Sequence, residues 1–543
     1  MRLWQGTYAR AALLALLLAV ALPGVALGAE PVFEKYRVPT VGGAEIAVEV
    51  MRPADNLDAP LILTYSPYNT LSETTTPNLA NDDIGQHYLG RGYARAVADV
   101  LGTRNSSGCW NYGGADEQQS GVDLVNFLAA QPWTNGRVAM IGGSYDGTTA
   151  TMVAARGADV PGLAAIVPIA GISRWYGYAY GDGVRYFLNS ERPTDEGIDT
   201  PLAFDFGLAR TPPTDPSDPL YAEKLASRAN PCESDDHTVK GYDRTPDYAA
   251  FWLERDYRKD AALVRAAALV AHGWQDYNVK QEEGVDLYRA LTNTPFKRLY
   301  MWQAGHSTPG AANWQPLLDR FFDHTLLGID NGVDSEPPVI TEGRSATQRS
   351  TGFSTEAAWP PPGTSATRLY LTHGAAGGTL AKRPTEGTAS FRDFATSTEE
   401  QSTRMPTAES DWLFFRGAPL EAGIRMAGAA RLELSLELDR DHAHLTPLLV
   451  DVAPDGTTKT VSRGFLNLLY RNGLASAKPV PPGEPVRATV TFKPQDQTFE
   501  AGHSIGLLVQ GSNTVWAVPD DPGAGYTLRL GRRGSNLVLP LVP

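Results

Sequence analysis

The sequence predicts an α/β domain built on a mainly parallel sheet, followed by a separate all-β domain. Three observations predict it. Between residues 59 and 169, apolar runs that read as buried strands alternate with helical segments. A glycine-flanked serine, Gly142-Gly143-Ser144, stands where one such strand gives way to a helix. Beyond Pro337-Pro338 the texture changes to short β runs separated by Gly and Pro.

The chain has 543 residues, more than one hydrophobic core usually organises. Its formal charge of −14 argues against nucleic acid and anionic membrane surfaces as partners. Arg2 and Arg10 precede the apolar run 11–22, and small residues follow at Ala26, Gly28 and Ala29. Residues 1–29 therefore read as a secretory signal peptide, too short for a stable span. The expected location is secreted, in the extracellular or cell-envelope space, with no membrane attachment after cleavage. Two cysteines, Cys109 and Cys232, complete the redox inventory. Export makes a bridge between them the expectation, with two separate buried thiols as the alternative.

Taken in order, residues 45–50 alternate and read as part of an opening sheet. Residues 59–65 form a buried strand, and Ser66-Pro67-Tyr68 is its loop. Residues 92–100 supply another strand, ending in Gly102-Thr103-Arg104. Residues 116–131 carry Val122, Val125, Leu128 and Ala129 at the spacing of a helix packed on a sheet. The strand 138–141 leads to Ser144, and a helix follows. Residues 163–169 are a further buried strand. The alternation then breaks over about 171–260, a span rich in Tyr, Trp, Asp and Pro. An insertion there lies over the carboxyl ends of the strands, where open α/β sheets bind ligands, and reads as a helical cap. A surface insertion with no part in binding is the alternative. Strands at 267–272 and 298–302 and helices at 280–291 and 314–327 complete the first domain, residues 30–336. The remainder, 337–543, reads as a jelly-roll-like or sandwich β domain.

Strand, glycine-flanked serine and helix are the context of a nucleophile elbow, which projects the serine hydroxyl from the sheet. The next backbone N–H then lies at a helix start, ready to hold an oxyanion. The usual Gly-x-Ser-x-Gly has its second glycine one place late here, at Gly147. Alone the pattern also fits a Gly/Ser-rich loop. An α/β-hydrolase triad demands an acid and then a histidine, each after a strand. Asp276 follows the strand 267–272, and His306 follows 298–302. A turn acid and a helix-capping histidine are the structural alternatives. Asp441-His442-Ala443-His444 is the one metal-like cluster, and no third ligand stands at convincing spacing, so no metal is assigned.

These segments resemble the Xaa-Pro dipeptidyl-peptidases and their relatives, the cocaine-esterase-like hydrolases. The resemblance rests on Gly142-Gly143-Ser144-Tyr145-Asp146-Gly147, Gly102-Thr103-Arg104-Asn105-Ser106-Ser107-Gly108, the Ala170–Tyr178 segment with Trp175, His272-Gly-Trp-Gln-Asp276-Tyr-Asn278-Val279, and Gly305-His306. It covers most of residues 35–340 and is architectural beyond. It implies an α/β-hydrolase core with a helical cap insertion and a C-terminal jelly-roll-like domain. It implies that Ser144, Asp276 and His306 are catalytic, with Tyr68 and Tyr145 forming the oxyanion hole. Simple packing is the alternative for Tyr68. It implies a proline pocket walled by Trp175, Tyr178 and Val279, with Asn278 a further substrate-binding residue. Glu196 matches the family's amine-binding glutamate, or is a solvated loop acid. No metal or organic cofactor is implied. Lactic-acid-bacterial members carry an extra N-terminal domain and lack an export signal, which leaves fine specificity and a homodimer open.

The leading expectation is a secreted serine peptidase releasing Xaa-Pro dipeptides through an acyl-enzyme. The alternative is a cocaine-esterase-like hydrolase of small esters or acyl amides. A secreted binding protein on a hydrolase scaffold is the third reading, and the full Ser, Asp and His set counts against it.

Overall fold

The computed structural model describes residues 30–68, 79, 82–187, 210–229, 245–345, 349–374, 377–396, 399 and 411–543. The expected signal segment, Glu196 and Cys232 lie outside the described residues. The first domain is organised by β1 (Val32–Pro39), β2 (Glu45–Arg52), β3 (Ala59–Ser66), β4 (Ala94–Asp99), β5 (Thr134–Gly143) and β6 (Leu163–Ile169). A small hairpin, β7 (Tyr180–Gly181) and β8 (Val184–Arg185), stands apart. β9 (Ala267–Gly273), β10 (Lys297–Trp302) and β11 (Val339–Ser345) complete the main sheet.

Pairing gives the order β1-β2-β4-β3-β5-β6-β9-β10-β11. β1 with β2 and β2 with β4 run antiparallel, and every later pair is parallel. A parallel sheet must be covered on both faces, and alternation along β5 shows how this is met. Val138 and Met140 join the core under the helices Ala115–Ala129, Tyr145–Ala154 and Glu282–Ala290. Ala139 and Ile141 point the other way, toward Asp83–Leu89 and Trp314–Leu327. All residues of β3 and β9 are buried, and both strands are mainly apolar, with Thr64, Ser66 and His272 as the polar exceptions.

The described part of the span 171–260 holds the short helices Trp175–Ala179, Tyr221–Ala229 and Ala250–Glu254, and the β7–β8 hairpin. It settles on the loop after β4. Lys224 Nζ donates to Asn105 O at 2.6 Å, and Arg228 donates to Ser106 O at 2.6 Å. This places it above the carboxyl end of that strand.

After β11 the chain is strand-rich, with a second apolar core that includes Leu371, Phe415, Leu432, Leu507 and Leu528. Most pairings are antiparallel, as between Trp412–Gly417 and Ser504–Gln510. β11 stitches the two parts together. It runs parallel to β10, and its last residues, Arg344 and Ser345, also pair with Gln497 and Thr498 of the strand Gln495–Phe499.

Candidate active site

β5 ends at Gly143, and the helix Tyr145–Ala154 begins one residue beyond Ser144. Ser144 is forced into φ 58°, ψ −123°, a conformation that costs a non-glycine residue about 1–3 kcal/mol. Its N–H is anchored to Ile169 O at 2.9 Å. Sterics explain the glycines. A Cβ on Gly142 would stand 2.2 Å from Asp146 Cβ. One on Gly147 would meet Gly142 O and Ile169 N at 3.0 Å. The late second glycine is thus where the helix's first turn passes the end of β6. Gly143 is under no such demand, its nearest neighbour being Thr308 at 3.9 Å. That neighbour also shows that the loop after His306 returns alongside the elbow.

Tyr68 follows β3. Its backbone is held by its own N–H to Ser66 Oγ at 3.0 Å, and by Arg104, which donates to Pro67 O and Tyr68 O at 3.3 Å. The Tyr68 hydroxyl stands 3.4 Å from both Ser144 Oγ and Tyr145 N. The phenol donates to the serine oxygen and accepts the Tyr145 N–H, so two donor groups stand together at the elbow. The Tyr145 ring is fixed from behind, edge-on to Trp110 at 5.3 Å and to Trp175 at 5.6 Å. Its hydroxyl meets both oxygens of Glu117 at 2.9 Å. Glu117 is fully buried and also accepts from Gly113 N at 2.7 Å and Trp110 Nε1 at 2.8 Å. Burial pushes its carboxyl up to about 7, against the pull of these donors.

Asp276 lies just past β9, fully buried. Its Oδ1 accepts the Asn278 N–H at 3.0 Å, and its Oδ2 meets His306 Nδ1 at 2.7 Å. His272 Nε2 stands 3.4 Å from the same Oδ2. Burial works to raise the Asp276 pKa, but the His272 and His306 contacts outweigh it and hold the acid below its usual range. His306 sits on the loop after β10, its side chain 25% exposed and so open to the space above the sheet. Gly273 lets the two loops cross, since a Cβ there would lie 2.4 Å from Ala304 O.

Of the expected pocket residues, Trp175 and Tyr178 are edge-on at 5.9 Å in one short helix, and both are buried with Val279. Lys280 ties this helix to the acid loop, donating to Asn278 O at 3.0 Å and Tyr178 O at 3.5 Å. Burial, with Lys493 nearby, pushes Lys280 down to about 7. Glu283 holds the other end of the helix through Ser173 N at 3.0 Å and Arg174 N at 2.9 Å. Cys109 is disulfide-bonded, and the chain's other cysteine is Cys232. Sequence reasoning missed Glu117, Lys280 and Glu283, and gave His272 no role beyond its place in the motif that carries the resemblance. Glu117 left a signal: it continues the buried stripe Gly121, Leu124, Leu128 of its helix, where a charge must find partners.

The fold and the site define a serine hydrolase of the α/β-hydrolase class with an added β domain. Profiles of the X-Pro dipeptidyl-peptidase (S15 family) and of the X-Pro dipeptidyl-peptidase C-terminal non-catalytic domain match residues 42–308 and 331–539. A provisionally named Xaa-Pro dipeptidyl-peptidase of Streptomyces avermitilis is 30% identical over 92% of this chain and 80% of its own length. The chain belongs to the X-Pro dipeptidyl-peptidase (S15) family. The Xaa-Pro dipeptidyl-peptidase of Lacticaseibacillus casei is 25% identical over 89% of this chain and 67% of its own. Among solved structures, a CocE/NonD family hydrolase from Staphylococcus aureus superposes with TM-score 0.76 at 16% identity, over 94% of each chain. An alpha-amino acid ester hydrolase does so with TM-score 0.69 at 19% identity, over 96% of this chain and 99% of its own. At such identities the likeness shows the fold.

Proposed function

We propose that this chain is an exported serine peptidase that releases Xaa-Pro dipeptides from free peptide N-termini through an acyl-enzyme. The observation that carries the reading is one constellation: Ser144 on a strained elbow, two donor groups standing together beside it, and the Asp276–His306 pair at adjacent strand ends. Ser144 Oγ attacks the carbonyl carbon after proline while His306 Nε2 takes its proton. Tyr68 O–H and Tyr145 N–H hold the oxyanion. Asp276 fixes the imidazole with Nδ1–H inward and stabilises its cation. The tetrahedral intermediate collapses, and the amine leaves with the proton from His306. Water then repeats the sequence on the ester. Trp175, Tyr178 and Val279 take the proline ring, and Glu196 pairs with the substrate's amine. Export rests on the Arg2, Arg10 and 11–22 pattern.

Ester and acyl-amide hydrolysis is the second reading. Its support is that the named pocket walls, Trp175, Tyr178 and Val279, bring no carboxylate to an amine. The deciding assay compares Ala-Pro amide, N-acetyl-Ala-Pro amide and a short-chain aryl ester. The peptidase reading expects acetylation to remove most of kcat/KM. If the acetylated amide or the ester is the better substrate, the second reading replaces the first. Ser144→Ala is expected to abolish turnover and fluorophosphonate labelling with the fold intact.

A further inference from the structure

We propose that His272 is a positioning residue for the reaction, holding the Asp276 carboxylate and the Val279 pocket wall with one shared N–H. The inference rests on the reading of Asp276 and His306 as acid and base, and names a second histidine on the same carboxylate. His272 is the penultimate residue of β9 and is fully buried. Its Nε2 lies 2.8 Å from Val279 O and 3.4 Å from Asp276 Oδ2. A carbonyl and an ionised carboxylate can only accept, so Nε2 must carry a proton, and the tautomer follows from the partners. The shorter contact is a full hydrogen bond to the wall residue. The longer one is an electrostatic approach of the same N–H edge to the carboxylate oxygen.

The ring is seated by sterics as well. A Cβ on Gly284 would stand 2.8 Å from His272 Cβ and Nδ1, so the glycine on the following helix makes the slot in which the imidazole lies. Asp276 then has two hydrogen-bond donors, Asn278 N on Oδ1 and His306 Nδ1 on Oδ2, and the His272 N–H edge stands 3.4 Å from the same Oδ2. A hydrogen bond and a polarised N–H edge at one oxygen restrain the carboxylate and draw on its charge. His272 thus sets both the direction and the strength of the bond that orients His306. Because the same proton bonds Val279 O, the acid and the pocket wall move as one body. The other charged groups around this point are Glu283 on the following helix, Lys280 on the same loop, and His306 across the carboxylate.

The test uses the full chain with an Xaa-Pro amide, or with whichever substrate the preceding assay selects. His272→Leu removes the donor and is expected to lower kcat by about 10–100-fold, the range that loss of a supporting partner behind a metal-ligating side chain produces. It is also expected to move the acidic limb of kcat/KM to higher pH. Without that N–H edge, Asp276 presents more charge to His306 and holds its proton more tightly. His272→Gln keeps an amide N–H near the Nε2 position and should restore both kcat and the limb. His272→Asn places its N–H near Nδ1 and should not. A purely structural histidine would lower thermal stability in all three variants without moving the limb, and that outcome overturns the proposal. So does His272→Leu with wild-type kcat and limb. If His272→Leu does not fold, the Gln and Asn variants decide, and equal behaviour of the two overturns the idea. Asp276→Ala and His306→Ala run alongside. Retained turnover in those would sink the acid–base reading itself rather than the role of His272.

Discussion

Glu117→Gln tests whether a carboxyl behind the oxyanion tyrosine is held neutral by burial. Glu117 is fully buried, and burial raises its carboxyl from 4.5 to about 7. Each pH unit of displacement is worth about 1.4 kcal/mol, so the full displacement corresponds to about 3 kcal/mol. The direction follows from proton counting. Below pH 4.5 the group is protonated in folded and unfolded chains alike. As pH rises from there, the unfolded chain ionises while the folded one keeps its proton, and stability falls until the folded group ionises near 7. Glutamine resembles the protonated form. Its oxygen accepts from Gly113 N and Trp110 Nε1, and its amide donates to the Tyr145 hydroxyl. Between pH 5.5 and 8 the unmutated protein should therefore lose about 2 kcal/mol that Glu117→Gln does not lose. Urea unfolding of both proteins at a series of pH values reads this difference, and the many groups common to both cancel. Parallel stability curves over that window would show that Glu117 is ionised throughout, and the reasoning would fail.

Tyr68→Phe keeps the ring and removes one donor group, and kcat should fall about 10²–10³-fold in steady-state assays. A near-normal kcat would return Tyr68 to packing. Gly142→Ala should destabilise the elbow strongly, because its Cβ would meet Asp146 Cβ at 2.2 Å, whereas Gly143→Ala meets nothing nearer than 3.9 Å and should melt like the parent. Equal melting temperatures for the two would contradict the steric account. Gln495→Leu removes a donor to Trp274 O at 2.8 Å and an acceptor for Gln275 at 3.0 Å. Leaving the buried Trp274 O without this donor costs about 1–3 kcal/mol, while Gln275 keeps Gln303 Oε1 at 3.2 Å, and kcat should drop with stability, since the acid loop loses its outer support. Unchanged kcat would show that this support does not reach Asp276.

Local pattern carried far where one element answers to one period. The strand Leu163–Ile169 and the helix Trp314–Leu327 begin and end with their apolar patterns. Asp276 and His306 could be placed together because each follows a strand, and β9 and β10 are neighbours. β11 was illegible. It follows two prolines and reads Val-Ile-Thr-Glu-Gly-Arg-Ser, and beside its hairpin partner Ser350–Glu356 it pairs with β10 and with a strand some 150 residues onward. Glu117, His272 and Lys280 were given no role for one shared reason. Each is a polar group in an apolar setting, and what makes it tolerable is a partner set by tertiary contact. The cap's short helices carry too few turns for a period to show.

Strand β11 has a consequence for anyone who would cut the protein in two. It covers the flank of β10 and is itself bonded to Ser350–Glu356 and to Gln495–Phe499. Removing everything beyond residue 336 would strip β10 of its neighbour and leave a raw row of backbone donors and acceptors along an apolar strand. Such a margin recruits strands from other molecules. The later domain thus serves the earlier one as a selvedge, closing the weave of the sheet at the side where it would fray into aggregates.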